Sequence, residues 1–165
     1  MSDHQPSRAE VLATLTAPGQ PFELIDSTVF GRACRFFKNA PATLRDLYYD
    51  NASDLEFLVY EDERLTYAEA YSKSAQIAQL LTRQYGITRG DRVAISMRNY
   101  PEWVLSFMAV TSIGGIAVAM NSLWRPDEMA MVCSTAVPRC CWLTRSDWRG
   151  LPKLKTRQAT RSTCR

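Results

Sequence analysis

Apolar and polar positions along the chain change rhythm from block to block. In EFLVYEDERLTY, Phe57 to Tyr60 are apolar, Glu61 to Arg64 are charged, and Leu65 is apolar again. That pattern predicts a hairpin, with strand Glu56–Tyr60 entering a solvated charged turn. Thr66 lies three residues before Glu69, the spacing of a capping box. Tyr71, Ala75, Ala78 and Leu81 follow at steps of four and three, so a helix with one apolar stripe is expected, stopped at Gly86. Arg89-Gly90-Asp91 reads as a turn feeding a strand over 92–97, a simpler use of the triplet than adhesion. Asn99 and Glu102 repeat the cap spacing, and Pro101 falls where a missing N–H costs little. A helix over 100–113 is expected from there, ended by Gly114-Gly115 and followed by an apolar strand over 116–120. The unit is strand–helix–strand, with its two strands parallel.

The flanks are less regular. Residues 1–40 form a mixed lead-in, with turn residues in APGQPFEL and one short strand in STVFGRACRFFKNAP. Leu44, Leu47 and Tyr48 share one face of a helix over 42–52. Pro126 with Asp127-Glu128 opens another helix, with acids at its positive end. The stretch from Trp103 to Met120 has no charged residue, which raises a membrane span. The internal Gly-Gly and the marginal length favour a buried unit, so no transmembrane segment is expected.

Composition changes this picture at one place. The whole chain has 165 residues, 46% hydrophobic and 22% charged, with a net charge of +3. Residues 1–131 carry 12 Lys/Arg against 16 Asp/Glu, a balance of −4. Residues 132–165 carry 8 against the single Asp147, a balance of +7, and four of the five cysteines. Three regions follow: a lead-in over 1–40, a partial domain over 41–131, and a basic tail over 132–165 expected to be disordered. The start has no signal-peptide core, so a cytoplasmic protein without stable disulfides is expected.

Candidate chemistry is sparse. There is no G-x-G-x-x-G and no GxxxxGK[ST] loop. Cys34 is a lone thiol far in sequence from the single histidine, His4, and reads as a packed structural cysteine. Cys133, Cys140 and Cys141 lack C-x-x-C spacing and have no nearby histidine, so no metal site is assigned. No catalytic residue is assigned either. The basic tail, with Trp142 and Trp148, could bind nucleic acid or an anionic membrane surface without sequence specificity, which is the alternative, non-enzymatic reading.

The order of motifs resembles the N-terminal part of an acyl-CoA synthetase of the AMP-binding, adenylate-forming ligase family. FLVYEDERLTYAEAYSKSAQIAQLL, YGITRGDRVAISMRNYPEWVLSFMAVTSIGGIAVAMNSLW and RPDEMA carry the likeness, over about residues 20–131. The resemblance implies an α/β fold, as an incomplete N-terminal part of a ligase domain. It implies substrates (a carboxylic acid, most simply a fatty acid, with ATP and CoA) and Mg as the ATP counterion. In that family a carboxylate attacks the α-phosphate of ATP, pyrophosphate leaves, and the CoA thiol then displaces AMP from the acyl-adenylate. The phosphate loop, adenine contacts and C-terminal lid of the family have no counterpart in these 165 residues, so the chain alone is expected to be inactive and to bind ATP, Mg and CoA poorly. Some relatives place a basic residue near the CoA phosphate at the position of Leu123, where the carry-over fails; Arg125 is the neighbouring candidate. An incomplete domain would leave a sheet edge and the Trp103/Phe107 helix face exposed, which predicts aggregation or chaperone association.

The tail has a further reading. If each true codon starts one base earlier, Cys140-Cys141-Trp142 must encode Leu-Leu, because cysteine codons are TGY and tryptophan is TGG. The Trp142–Leu143 junction then forces Ala or Val, and Asp147-Trp148 forces Leu. These residues fall where a buried strand and a helix are due, which points to a single-base shift near codon 132.

Overall fold

The computed structural model describes residues 5–136 and 138–143. Two compact units divide at Ala42/Thr43, two residues from the boundary expected in the sequence.

The first unit holds helix α1 (Arg8–Leu15) and a hairpin of β1 (Leu24–Val29) and β2 (Arg32–Phe37). Ser7 and Glu10 close a reciprocal capping box at the start of α1. The hairpin turn is Phe30-Gly31, both at positive φ (50° and 76°). Two such residues match the right-handed twist of the strands they join. Neither α1 nor the paired hairpin was expected. The usual signal for this turn is Asn-Gly or Asp-Gly, and here phenylalanine takes the first place. Cys34 faces Ser27 across the ladder and is half-buried.

The second unit begins with α2 (Leu44–Asp50), capped by Thr43 and Asp46. β3 (Glu56–Tyr60) and β4 (Glu63–Thr66) form the expected antiparallel hairpin. The charged turn is shorter than the sequence implies, since Glu63 and Arg64 already belong to β4. Helix α3 (Tyr67–Arg83) starts on the Thr66–Glu69 capping box. Its buried stripe is Ala70, Ser74, Ala78 and Leu81, so Tyr71 and Ala75 lie to one side of it and Ala75 is exposed. The sequence reading took Ala75 into the stripe and passed over Ala70 and Ser74, which are buried.

The parallel unit follows: β5 (Arg92–Ser96), α4 (Pro101–Ser112) and β6 (Ile116–Met120). β5 and β6 pair parallel, from Arg92 opposite Ile116 to Ser96 opposite Met120. The cap of α4 is Tyr100, which makes no side-chain capping bond, and Asn99 stands one residue outside. Helix α5 (Pro126–Ala136) and strand β7 (Cys140–Leu143) complete the order. β7 pairs parallel with β5, giving the sheet order β6-β5-β7.

Disorder beginning at 132 is therefore corrected over the described part of the tail. Residues 132–136 are the last turns of α5, and Val132 and Cys133 pack against the core. Residues 140–143 take the strand conformation by pairing in parallel with β5, at the edge of the sheet. Residues 144–165 lie outside the described residues, and with them most of the basic run proposed to meet nucleic acid or membrane.

β5 is the spine. Val93, Ala94 and Ile95 are fully buried. Val93 and Ile95 join Leu81, Ile87, Ala109 and Val110 on the α3/α4 face, while Ala94 joins Met120 and Met129 on the α5 face. Each buried Val or Ile side chain contributes about 1.5–3 kcal/mol of transfer free energy. Trp103 and Phe107 are not an exposed face. Their rings stack at 5.6 Å and 7°, half-buried against the first cluster. Exposed apolar surface lies instead at Leu55, Ile116, Leu123 and Met131. No helix among the described residues is long and apolar enough to cross a membrane.

Candidate functional site

Parallel strands end together, and the loops leaving them enclose a crevice at their carboxyl ends, where open α/β sheets bind ligands. Here β5 runs into Met97-Arg98-Asn99 and β6 into Asn121-Ser122-Leu123. Between these loops, with Trp103 at the back, is a cavity of about 590 Å³. The β6 loop is rigidified by its own residues. The Asn121 carboxamide oxygen accepts from the Leu123 N–H at 2.9 Å, and the Asn121 carbonyl accepts from the Trp124 N–H at 3.2 Å. This Asx turn projects Leu123 to the rim, 73% exposed. Leu123 thus reaches the mouth of the cavity with an aliphatic side chain.

Arg125 lies two residues beyond the lining. Its backbone N–H donates to Glu128 at 2.7 Å, and its exposed guanidinium stands 3.6 Å from Asp127. The structure thus places Arg125 at the entry of α5. The cation that lines the cavity is Arg98, exposed and without an ion pair among the described residues. The sequence reading missed Arg98 because it follows a strand with no glycine pattern to mark a ligand loop; its place at the end of β5 was the available signal.

The opposite end of β5 is held by Asp91. Its carboxylate accepts from the Thr88 N–H at 2.7 Å and the Thr88 hydroxyl at 2.8 Å. The Arg139 guanidinium is 3.4 Å from both carboxylate oxygens. Burial acts to raise the carboxyl pKa. The Thr88 bonds and Arg139 outweigh it, and the net position is below the ordinary value. Asp91, the acid of the Arg-Gly-Asp triplet, is thus a turn residue that ties β7 to β5.

One cation and two carboxamides cannot match a magnesium triphosphate, which needs several convergent charges. The described residues alone do not fit ATP. No group of three His, Cys, Asp or Glu comes together among the described residues.

The sequence pattern of the AMP-binding enzyme family matches residues 48–164. Among curated proteins, the chain is 33% identical over 95 residues to the medium/long-chain-fatty-acid–CoA ligase FadD6 of Mycobacterium tuberculosis, covering 56% of this chain and 16% of that protein. It is 37% identical over 79 residues to 4-hydroxybutyrate–CoA ligase 2 of Metallosphaera sedula, covering 48% of this chain and 14% of the ligase. The fold superposes on the inhibitor-bound N-terminal domain of FACL13 from Mycobacterium tuberculosis with a TM-score of 0.62 at 25% identity, over 65% of this chain and 28% of that one. The N-terminal subdomain of Klebsiella oxytoca NpsA, in complex with anthranilyl-AMSN, gives 0.57 at 26% identity, over 66% and 28%. The chain therefore spans a small N-terminal share of these relatives. The matched span runs through the parallel unit and the loops that frame the cavity, and the chain belongs to the AMP-binding, adenylate-forming ligase family.

Proposed function

We propose that this chain is the opening part of an ATP-dependent ligase that joins a carboxylic acid to CoA through an acyl-adenylate. The observation that carries the reading is the family match over 48–164, together with relatives named as CoA ligases. In this reading the 165-residue chain contributes the β5–α4–β6 scaffold and one wall of a ligand crevice, and is inactive alone. Its ATP, Mg and CoA contacts come mainly from sequence it does not contain. Arg98 is the cation best placed for an anionic group at the crevice, and Arg125 the second candidate. The acid is most simply a fatty acid, and the setting cytoplasmic.

The tail belongs to the same proposal. A one-base shift near codon 132 accounts for the change from −4 to +7 and for the forced Leu-Leu. The strand at 140–143 agrees with either frame, since Cys-Cys-Trp-Leu and Leu-Leu-Ala/Val are both apolar there. Resequencing the locus decides it: a continuing ligase frame overlapping codon 132 supports the shift, and its absence removes it.

The functional test is direct. The purified chain, given a fatty acid, ATP, Mg and CoA, should release no AMP or pyrophosphate; turnover would overturn the proposal. Any residual CoA binding should weaken more in Arg98→Ala than in Arg125→Ala.

A further inference from the structure

A second cavity, of about 240 Å³, lies between β3 and the start of α4. We propose that it binds an organic cation of the trimethylammonium class, held against the rings of Tyr60, Tyr100 and Trp103. Tyr60 and Tyr100 stand edge to face, with centroids 5.4 Å apart at 88°, and so form a corner. Trp103 also lines the cavity, and its ring is fixed by stacking on Phe107. Leu58 and Val104 complete an apolar wall, and no Lys, Arg or His is among the lining residues. Asn99 is the polar residue of the lining, and an aromatic ring that turns a free face to the space attracts a cation through its quadrupole.

Charge around the cavity points the same way. The Tyr60 hydroxyl is pushed above its ordinary pKa, first by burial and then by Glu61, Tyr100, Glu102 and Glu63. Three carboxylates thus act on this corner. The N-terminus of α4 opposes them with about half a positive charge, and Glu102 in its first turn offsets that. The Arg64 guanidinium, which donates to the Glu61 and Glu63 carbonyl oxygens, offsets one of the three carboxylates, and the remainder is negative. A metal ion is a poor occupant, since it needs converging oxygen ligands. A quaternary ammonium carries its charge behind methyl groups and loses little hydration on entering an apolar corner. The proposal does not depend on the ligase reading, although Asn99 and Trp103 line both cavities.

The shared chemistry has two sources: a free choline-like molecule, or trimethyl-lysine in a peptide. Calorimetric titration of the full chain with choline, a trimethyl-lysine peptide and the neutral isostere 3,3-dimethyl-1-butanol separates them. At least one cation should bind about tenfold more tightly than the isostere. Binding by choline assigns a small-molecule site, and binding by the peptide alone assigns a protein partner. Tyr100→Leu should weaken binding about tenfold, Tyr100→Phe should retain it, and the surface change Glu102→Gln should weaken it a few-fold. Circular dichroism confirms that each variant is folded. Equal binding of the isostere, no binding of either cation, or unchanged binding in folded Tyr100→Leu would each overturn the proposal.

Discussion

Phe30 stands at the tip of the β1–β2 hairpin with a φ of 50° and its side chain fully exposed. The left-handed region costs an ordinary L-residue about 1–2 kcal/mol, and no burial offsets it here. Phe30→Asn should stabilise the hairpin by about 1 kcal/mol, read as slower hydrogen exchange of its ladder amides. Ser96 is a second local tension. It is buried at the end of β5, and its hydroxyl has no partner among the described residues. Ser96→Ala removes that unmet polar group with little change of volume. Thermal unfolding should show the variant equal to the parent or up to about 1 kcal/mol more stable. Loss of stability would mean that the hydroxyl has a partner after all.

At the scale of elements, the Asp91–Arg139 contact is the link with a clear pH signature. The folded state holds the Asp91 carboxyl below its ordinary value of 3.8. A depressed carboxylate adds stability that is present above the unfolded value and lost as pH falls through the folded one. Denaturant unfolding followed from about pH 5 down to pH 3 should therefore show a flatter decline in Asp91→Asn than in the parent. An identical slope would remove Asp91 from the account. This link also shows where sequence reading stopped. The β3–β4 hairpin, the α3 cap and the β5–α4–β6 unit were legible because each is local: a period, a cap pair, a Gly-Gly stop. β7 was legible only through the shifted frame, because in the visible one its evidence is its neighbour. Four residues reading Cys-Cys-Trp-Leu become a strand only beside β5, with Arg139 anchored on Asp91 forty-eight positions away. The cavity was illegible for the same reason, since Arg98 and Asn121 meet only when two parallel strands end side by side.

For the molecule as a whole, the second unit contains a sheet of three strands with β6 at one edge and an exposed Ile116 on it. The chain matches only 14–16% of the length of the two CoA ligases to which it is compared above. The proposal gives this scaffold, with its one crevice-lining arginine, a contribution to a ligase and no adenylation by itself. Stored at high concentration, the chain should self-associate through such apolar surface, and light scattering should show this falling in Ile116→Lys. The most direct test of the central claim is an adenylation assay on the purified, folded 165-residue chain with a fatty acid, ATP, Mg and CoA. The account predicts no AMP above a protein-free control. Sustained, acid-dependent AMP release would contradict it.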